Sequence, residues 1–194
     1  MRLKPLLFAG ALLPLAASAQ EAARDFDYTF VEVQYVDTEL DTGPFDVDGD
    51  GLELRGSLLL TDQVFLQARY NSLDYGQGID VTSYAVGAGV RFGLKPELDL
   101  TADLSWVSSE LDRPVLPDID DDGFELGVGL RARVHDAIEA EAGIRHIDLD
   151  DDSDTYLTLG GRYYFTKNVA AGLGLTLNDD STGWSVGLRA QFGR

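Results

Sequence analysis

Along residues 123–134 the side chains alternate. Phe124, Leu126, Val128, Leu130, Ala132 and Val134 fall in one phase, and Glu125, Gly127, Gly129, Arg131 and Arg133 in the other. Period-two alternation specifies a strand with one apolar and one polar face. A polar face built of glycine and arginine, without lysine or threonine, suits a narrow interior, and the apolar face suits lipid. Nine further segments alternate in the same way, at roughly 25–36, 51–60, 64–73, 81–93, 97–108, 138–148, 155–165, 169–177 and 184–193. The first is ragged. Val31, Val33 and Tyr35 keep one phase, while Phe26, Tyr28 and Phe30 sit in the other. That break predicts either a bulge or aromatic side chains plugging the interior.

The connections between segments alternate in length. Residues 61–63, 94–96, 135–137 and 166–168 make tight turns. Residues 37–50, 74–80, 109–122, 149–154 and 178–183 read as loops, mostly longer and rich in aspartate. This is the layout of an all-β, ten-stranded antiparallel up-and-down transmembrane β-barrel, with both ends of the chain on the short-turn side. An eight-stranded barrel is the alternative, with the ragged first segment or another left outside.

Three-residue turns fix a register. Val134 then opposes Ile138, Arg133 faces Glu139, Arg131 faces Glu141, and Arg91 faces Asp99, so opposite charges meet across strands. On the other face Phe92 meets Leu98 and Tyr84 meets Trp106. Arg55 faces Arg69, and that pair needs another partner. Two aromatic girdles follow as well: Tyr35, Tyr84, Trp106, Phe124, Tyr156 and Trp184 near the long loops, Phe65, Phe92, Tyr163, Phe165 and Phe192 near the short turns.

Composition sharpens this picture. Arg2 and Lys4 precede a short apolar run at 6–16 and a small-residue site at 17–19, which predicts a cleaved signal peptide over 1–19 and a barrel domain over 20–194. No later segment is long and apolar enough for a membrane helix. There is no cysteine, which excludes disulfides and thiolate chemistry. The net charge of -19 argues against nucleic acid as a partner. Most acids fall in the long-loop stretches, where Arg113 is the only base. The interior face is balanced instead. It carries Arg55, Arg69, Arg91, Arg131, Arg133, Arg145, Arg162 and Arg189 against Glu32, Glu53, Asp99, Asp103, Glu125, Glu139 and Glu141. Buried charges must pair. The predicted lumen network is therefore built from Arg91–Asp99, Arg131–Glu141 and Arg133–Glu139, with glycines between the charges leaving space.

Two stretches share the pattern D-x-D-x-D-G: Asp46, Asp48 and Asp50 before Gly51, and Asp118, Asp120 and Asp122 before Gly123. Alternate aspartates leading into a glycine turn can wrap calcium. The pattern resembles the first half of an EF-hand loop, but the twelfth positions are Ser57 and Gly129, and a strand follows. A solvated acidic loop is the competing reading, and no other cofactor is expected. His146 and Asp148 could pair at the outer rim as in a barrel hydrolase, yet two residues apart on a strand they share the lipid-facing side. No G-x-S-x-G, P-loop or dinucleotide fingerprint is present, so the expectation is that the chain is not an enzyme.

Taken together, the leader, the ten alternating segments, the girdles and the acidic loops resemble the small outer-membrane β-barrel proteins of Gram-negative bacteria. The resemblance implies residence in the outer membrane. Its partners would be outer-membrane lipid, lipopolysaccharide and the insertion machinery. The expected function is a non-enzymatic envelope barrel, a narrow porin-like channel for small solutes. The alternative is a non-conducting surface-binding, adhesion or envelope-integrity barrel whose acidic loops bind divalent cations. A soluble secreted or periplasmic barrel, with the leucine–valine face as its core, is a third reading.

Overall fold

The computed structural model describes residues 26–41, 46–114, 117, 119–150 and 153–192. The expected signal peptide lies outside them. Ten strands follow one another: β1 (Phe30–Asp41), β2 (Asp46–Leu59), β3 (Val64–Asp74), β4 (Asp80–Lys95), β5 (Leu98–Asp112), β6 (Ile119–His135), β7 (Ile138–Leu149), β8 (Ser153–Tyr164), β9 (Val169–Leu177) and β10 (Ser181–Gln191). Each pairs antiparallel with its neighbours, and β1 closes on β10 through Glu32 opposite Arg189. Closure satisfies every strand edge, the condition for a sheet to stand in hydrocarbon. The alternation orients the wall: Leu130 is 43% exposed, while Arg131 next to it is 5% exposed.

A strand tilted through a bilayer needs about 9–11 residues. β4, β5 and β6 have 16, 15 and 17. β5 and β6 run on at their outer ends, as do β1 and β2, so stretches expected as acidic loops at 37–50 and 109–122 are mostly strand. The reason is in the residues: DVDGDG alternates as strictly as any apolar strand, and the hydrogen-bond ladder continues above the membrane because outward aspartates can stay in water there.

Cross-strand register aligns these acids. Asp37 opposes Asp50, Asp50 opposes Asp74, Asp74 opposes Asp80, and Asp80 opposes Asp112. This row crosses five strands on the outward face. Like charges directly opposite cost several tenths of a kcal/mol per pair. The double substitution Asp50→Asn, Asp74→Asn should therefore slow amide exchange at the outer ends of β2 and β3 at low salt. The gain should vanish near ~1 M salt, where screening is complete within about 3 Å.

Register departs from the three-residue-turn expectation at two hairpins, along the whole β4–β5 pair and at the closed end of β6–β7. β4 runs to Lys95, and only Pro96 and Glu97 turn the chain. Arg91 therefore opposes Thr101, Phe92 opposes Leu100, and Tyr84 opposes Ser108, with an irregularity between Gly93 and Lys95. Pro96 suits so short a turn, because its ring presets the φ that the second position of a type I or II turn needs. In β6–β7 the body keeps Arg133 opposite Glu139 and Arg131 opposite Glu141. The end closes through His135 and Ile138 across an irregularity, not through Val134.

The outer girdle contains Tyr35 against Trp184, ring centroids 5.8 Å apart, and Tyr70 against Tyr84 at 5.3 Å. Tyr163 and Phe165 meet at 5.3 Å near the short turns. Two residues expected in the girdles are elsewhere: Phe65 is buried inside the barrel, and Tyr156 lines the lumen, its hydroxyl donating to Asp154 Oδ2 at 3.0 Å. Both sit in the inward phase of their strands, and position along a strand cannot override that phase.

Candidate functional site: a floored lumen

Inside the wall, charges pair in layers. Nearest the short turns, Glu139 accepts from Arg131 Nε at 2.9 Å and Nη2 at 2.7 Å, from Arg133 Nη2 at 2.9 Å, and from the Tyr164 hydroxyl at 3.0 Å. Arg91 Nη1 lies 3.5 Å from Asp99 Oδ2. One layer up, Arg162 grips both oxygens of Glu141, and Glu32 takes Arg189 Nη2 at 2.7 Å and Arg162 Nε at 3.4 Å. Higher still, Arg69 Nη2 donates to Glu125 Oε2 at 2.6 Å, Arg145 pairs with Glu125, and Arg55 pairs with Glu53. Arg55 and Arg69 are opposite in register, as the turn arithmetic requires, and each finds its carboxylate elsewhere.

The structure thus brings Arg91 to Asp99 and Arg133 to Glu139. Arg131 turns to Glu139, and Glu141 goes to Arg162. An arginine spans diagonal neighbours as easily as the one directly opposite, so register names the ring of charges but not the partner within it.

Below these layers the chain makes its own floor. Before β1 begins, Phe26 and Tyr28 turn into the barrel and are almost fully buried. The Tyr28 ring stacks on Phe65 at 5.3 Å. Arg91 and Arg131 sit over Tyr28 at 4.9 and 5.0 Å, and Arg131 also lies 5.1 Å from the Phe26 ring. The main chain is tied as well. Arg91 Nη1 donates to Phe26 O at 2.8 Å and Arg131 Nη1 to Asp27 O at 2.9 Å. The Tyr28 hydroxyl donates to Asp99 Oδ2 at 3.1 Å. The phase break that predicted a bulge or an aromatic plug resolves as the plug. Phe26, Tyr28 and Phe65 form a small hydrophobic cluster with Leu59 against it.

Two cavities stand on this floor. The lower, about 210 Å³, reaches from Tyr28 and Phe65 past the arginine layers. The outer one, about 350 Å³, extends to Leu40, Tyr75 and Leu149 near the outer rim. They share a waist lined by Gln34, Arg55, Arg69, Glu125, Arg145, Thr158, Thr176 and Ser185. Small residues make the room. At Gly127 a Cβ would stand 2.8 Å from the Asp103 carboxylate, so any other side chain there would displace Asp103. At the top, Tyr75 leans from the β3–β4 loop over Gly49, where a Cβ would collide with its ring. Burial pushes the Tyr75 phenol pKa up.

The aspartates considered for calcium lie elsewhere. Asp46, Asp48 and Asp50 belong to β2, and Asp120 and Asp122 to β6, all on the outward face; Asp118 is outside the described residues. Extended backbone sets alternate residues nearly 7 Å apart along one face, which is not the wrapped loop that the glycine pattern suggested. Among the described residues no three His, Asp or Glu side chains come close enough to hold a metal ion. His146 points outward and its Nδ1 pairs with Thr155 Oγ1 at 2.9 Å.

A closed barrel with a lipid-facing exterior and a paired polar lumen matches what comparison with known proteins returns. The family model described as outer membrane protein beta-barrel domain matches residues 6–165. The chain belongs to that outer-membrane family. Among solved structures, the NanC porin aligns with a TM-score of 0.51 at 8% identity, over 84% of this chain and 100% of that one. The translocator domain of the autotransporter NalP from Neisseria meningitidis aligns at 0.50 and 10% identity, over 92% and 94%. Ail, the attachment invasion locus protein of Yersinia pestis, aligns at 0.45 and 13%, over 86% and 100%. At identities this low, the first two alignments show a shared fold alone. No curated protein matches the chain. Membership in the family places the barrel in the outer membrane.

Proposed function

We propose that this outer-membrane barrel is a narrow channel for small polar solutes, held shut at its short-turn end by residues 26–29. The observation that supports the reading is the pair of cavities sharing one waist. Together they lead from the outer rim to the aromatic floor, and a barrel built only as a rigid anchor has no use for that space. Side chains normally fill small barrels; here glycines keep ten strands from doing so. The floor is local, a few residues held by side-chain contacts, whereas the wall around it is a continuous ladder.

Liposome swelling tests the reading. Barrels carrying Phe26→Gly and Tyr28→Gly should admit solutes of glycerol or amino-acid size and exclude trisaccharides, because the waist is crossed by arginine side chains. Failure of every solute to enter vesicles that hold the folded variant would contradict it.

A further inference from the structure

The waist has a polarity that net charge does not reveal. Three guanidinium groups and three carboxylates meet there, so the layer is formally balanced. Their placement is not. The side chains of Arg55, Arg145 and Arg69 are 36%, 27% and 22% exposed, whereas Glu53, Asp103 and Glu125 are 8%, 7% and 1% exposed. The acids are sunk into the wall behind the arginines that hold them, and the cationic heads stand in front. Donors are also left over. Arg55 uses Nε on Glu53, and Arg145 uses Nη1 on Glu125 and Asp103. The Arg55 η nitrogens and Arg145 Nη2 make no hydrogen bond to another described residue.

The approach to the waist is close to neutral. The outer cavity above it is lined by Thr38, Asn71, Ser83 and Ser109 among apolar side chains, and Asp154 is its one charge beyond the waist layer. The row from Asp37 to Asp112 faces outward, across the wall from the lumen, and its field falls off within about 8 Å at physiological salt. Below the waist the exposed carboxylate is Glu141, with both oxygens held by Arg162.

We infer that Arg55, Arg69 and Arg145 form an anion-selective filter, a site for small oxyanions such as phosphate or the carboxylate of an organic acid. Guanidinium forks match the two-oxygen edge of either group. The geometry that makes the site is a ring of cations whose counter-charges lie behind them, so an anion meets donors first and a cation meets repulsion. This deepens the channel reading and rests on it for transport, though the binding site stands by itself.

The probe is inorganic phosphate, titrated calorimetrically into the folded full barrel in zwitterionic micelles. Phosphate should bind, and Arg55→Gln with Arg145→Gln should weaken it by about tenfold for each lost charged donor. Arg69 stays, so Glu125 keeps its 2.6 Å partner; should the double variant fail to fold, Arg55→Gln alone serves, because Glu53 retains Arg69 at 3.9 Å. In a potassium chloride gradient, barrels with the floor cleared should favour chloride, and the arginine variants should move toward potassium. Equal phosphate binding by native and variant barrels, no binding by either, or potassium preference with the arginines in place would overturn the filter. Silence of every barrel in the gradient would overturn the channel reading, with the phosphate titration still judging the site.

Discussion

Replacing Phe26 and Tyr28 by glycine should turn a silent barrel into a conducting one. In planar bilayers the native protein is expected to give rare openings at most, and the double variant steady single-channel steps. The floor is held by one stacked aromatic pair and by arginines over two rings. Those contacts together supply about 2 kcal/mol or more, and losing them shifts the ratio of open to closed by roughly thirtyfold. Arg131 is predicted to stay in place in the variant, since Glu139 and not the ring fixes its position. The main-chain bonds from Arg91 and Arg131 then have no bulky side chains to hold over the lumen. A native barrel that conducts as freely as the variant would show that residues 26–29 close nothing.

The second large effect belongs to Glu139. Its two oxygens take four donated hydrogen bonds, from Arg131, Arg133 and Tyr164, and it is buried. Glu139→Ala takes the carboxylate away from Arg131, a guanidinium buried at the base of the lumen. Breaking a buried ion pair from one side costs about 3–5 kcal/mol, because the charge left behind keeps its desolvation penalty. Urea unfolding in lipid vesicles should show a loss of that order, and heat-modifiable gel migration should weaken with it. Asp148→Asn, on the exposed outer rim, should stay within about 0.5 kcal/mol of native. If Glu139→Ala matched it, the layered pairing would not be what holds the lumen together.

Much of this is legible in the sequence because a barrel wall is written at period two. The phase of Leu130 against Arg131 announces lipid against lumen, and the same phase places every interior arginine and carboxylate. What escapes is decided by geometry off that period. Glu141 pairs with Arg162 instead of Arg131 because long side chains choose among diagonal neighbours. The register of β4–β5 slips because Lys95 extends the strand and shortens the turn. Position near a turn puts Phe65 in a girdle, although its phase points inward toward Tyr28. Acid content misleads at 46–51 and 119–123, where aspartate looks like loop and behaves as strand once its side chains face water. The plug itself leaves a mark, the opposite phase of Phe26 and Tyr28, but only the structure shows Arg91 and Arg131 packed against it.

The chain contains no cysteine, so one introduced thiol reports cleanly. Thr158 lines both cavities at the waist, and Thr158→Cys is nearly isosteric. In oriented vesicles, a charged thiol reagent that cannot cross lipid should label this variant from the long-loop side and not from the short-turn side. With Phe26→Gly and Tyr28→Gly added, it should label from both. A folded barrel whose thiol is sealed from the long-loop side, or one that labels from both sides with its floor intact, would contradict a wet lumen stopped at one end by its own first residues.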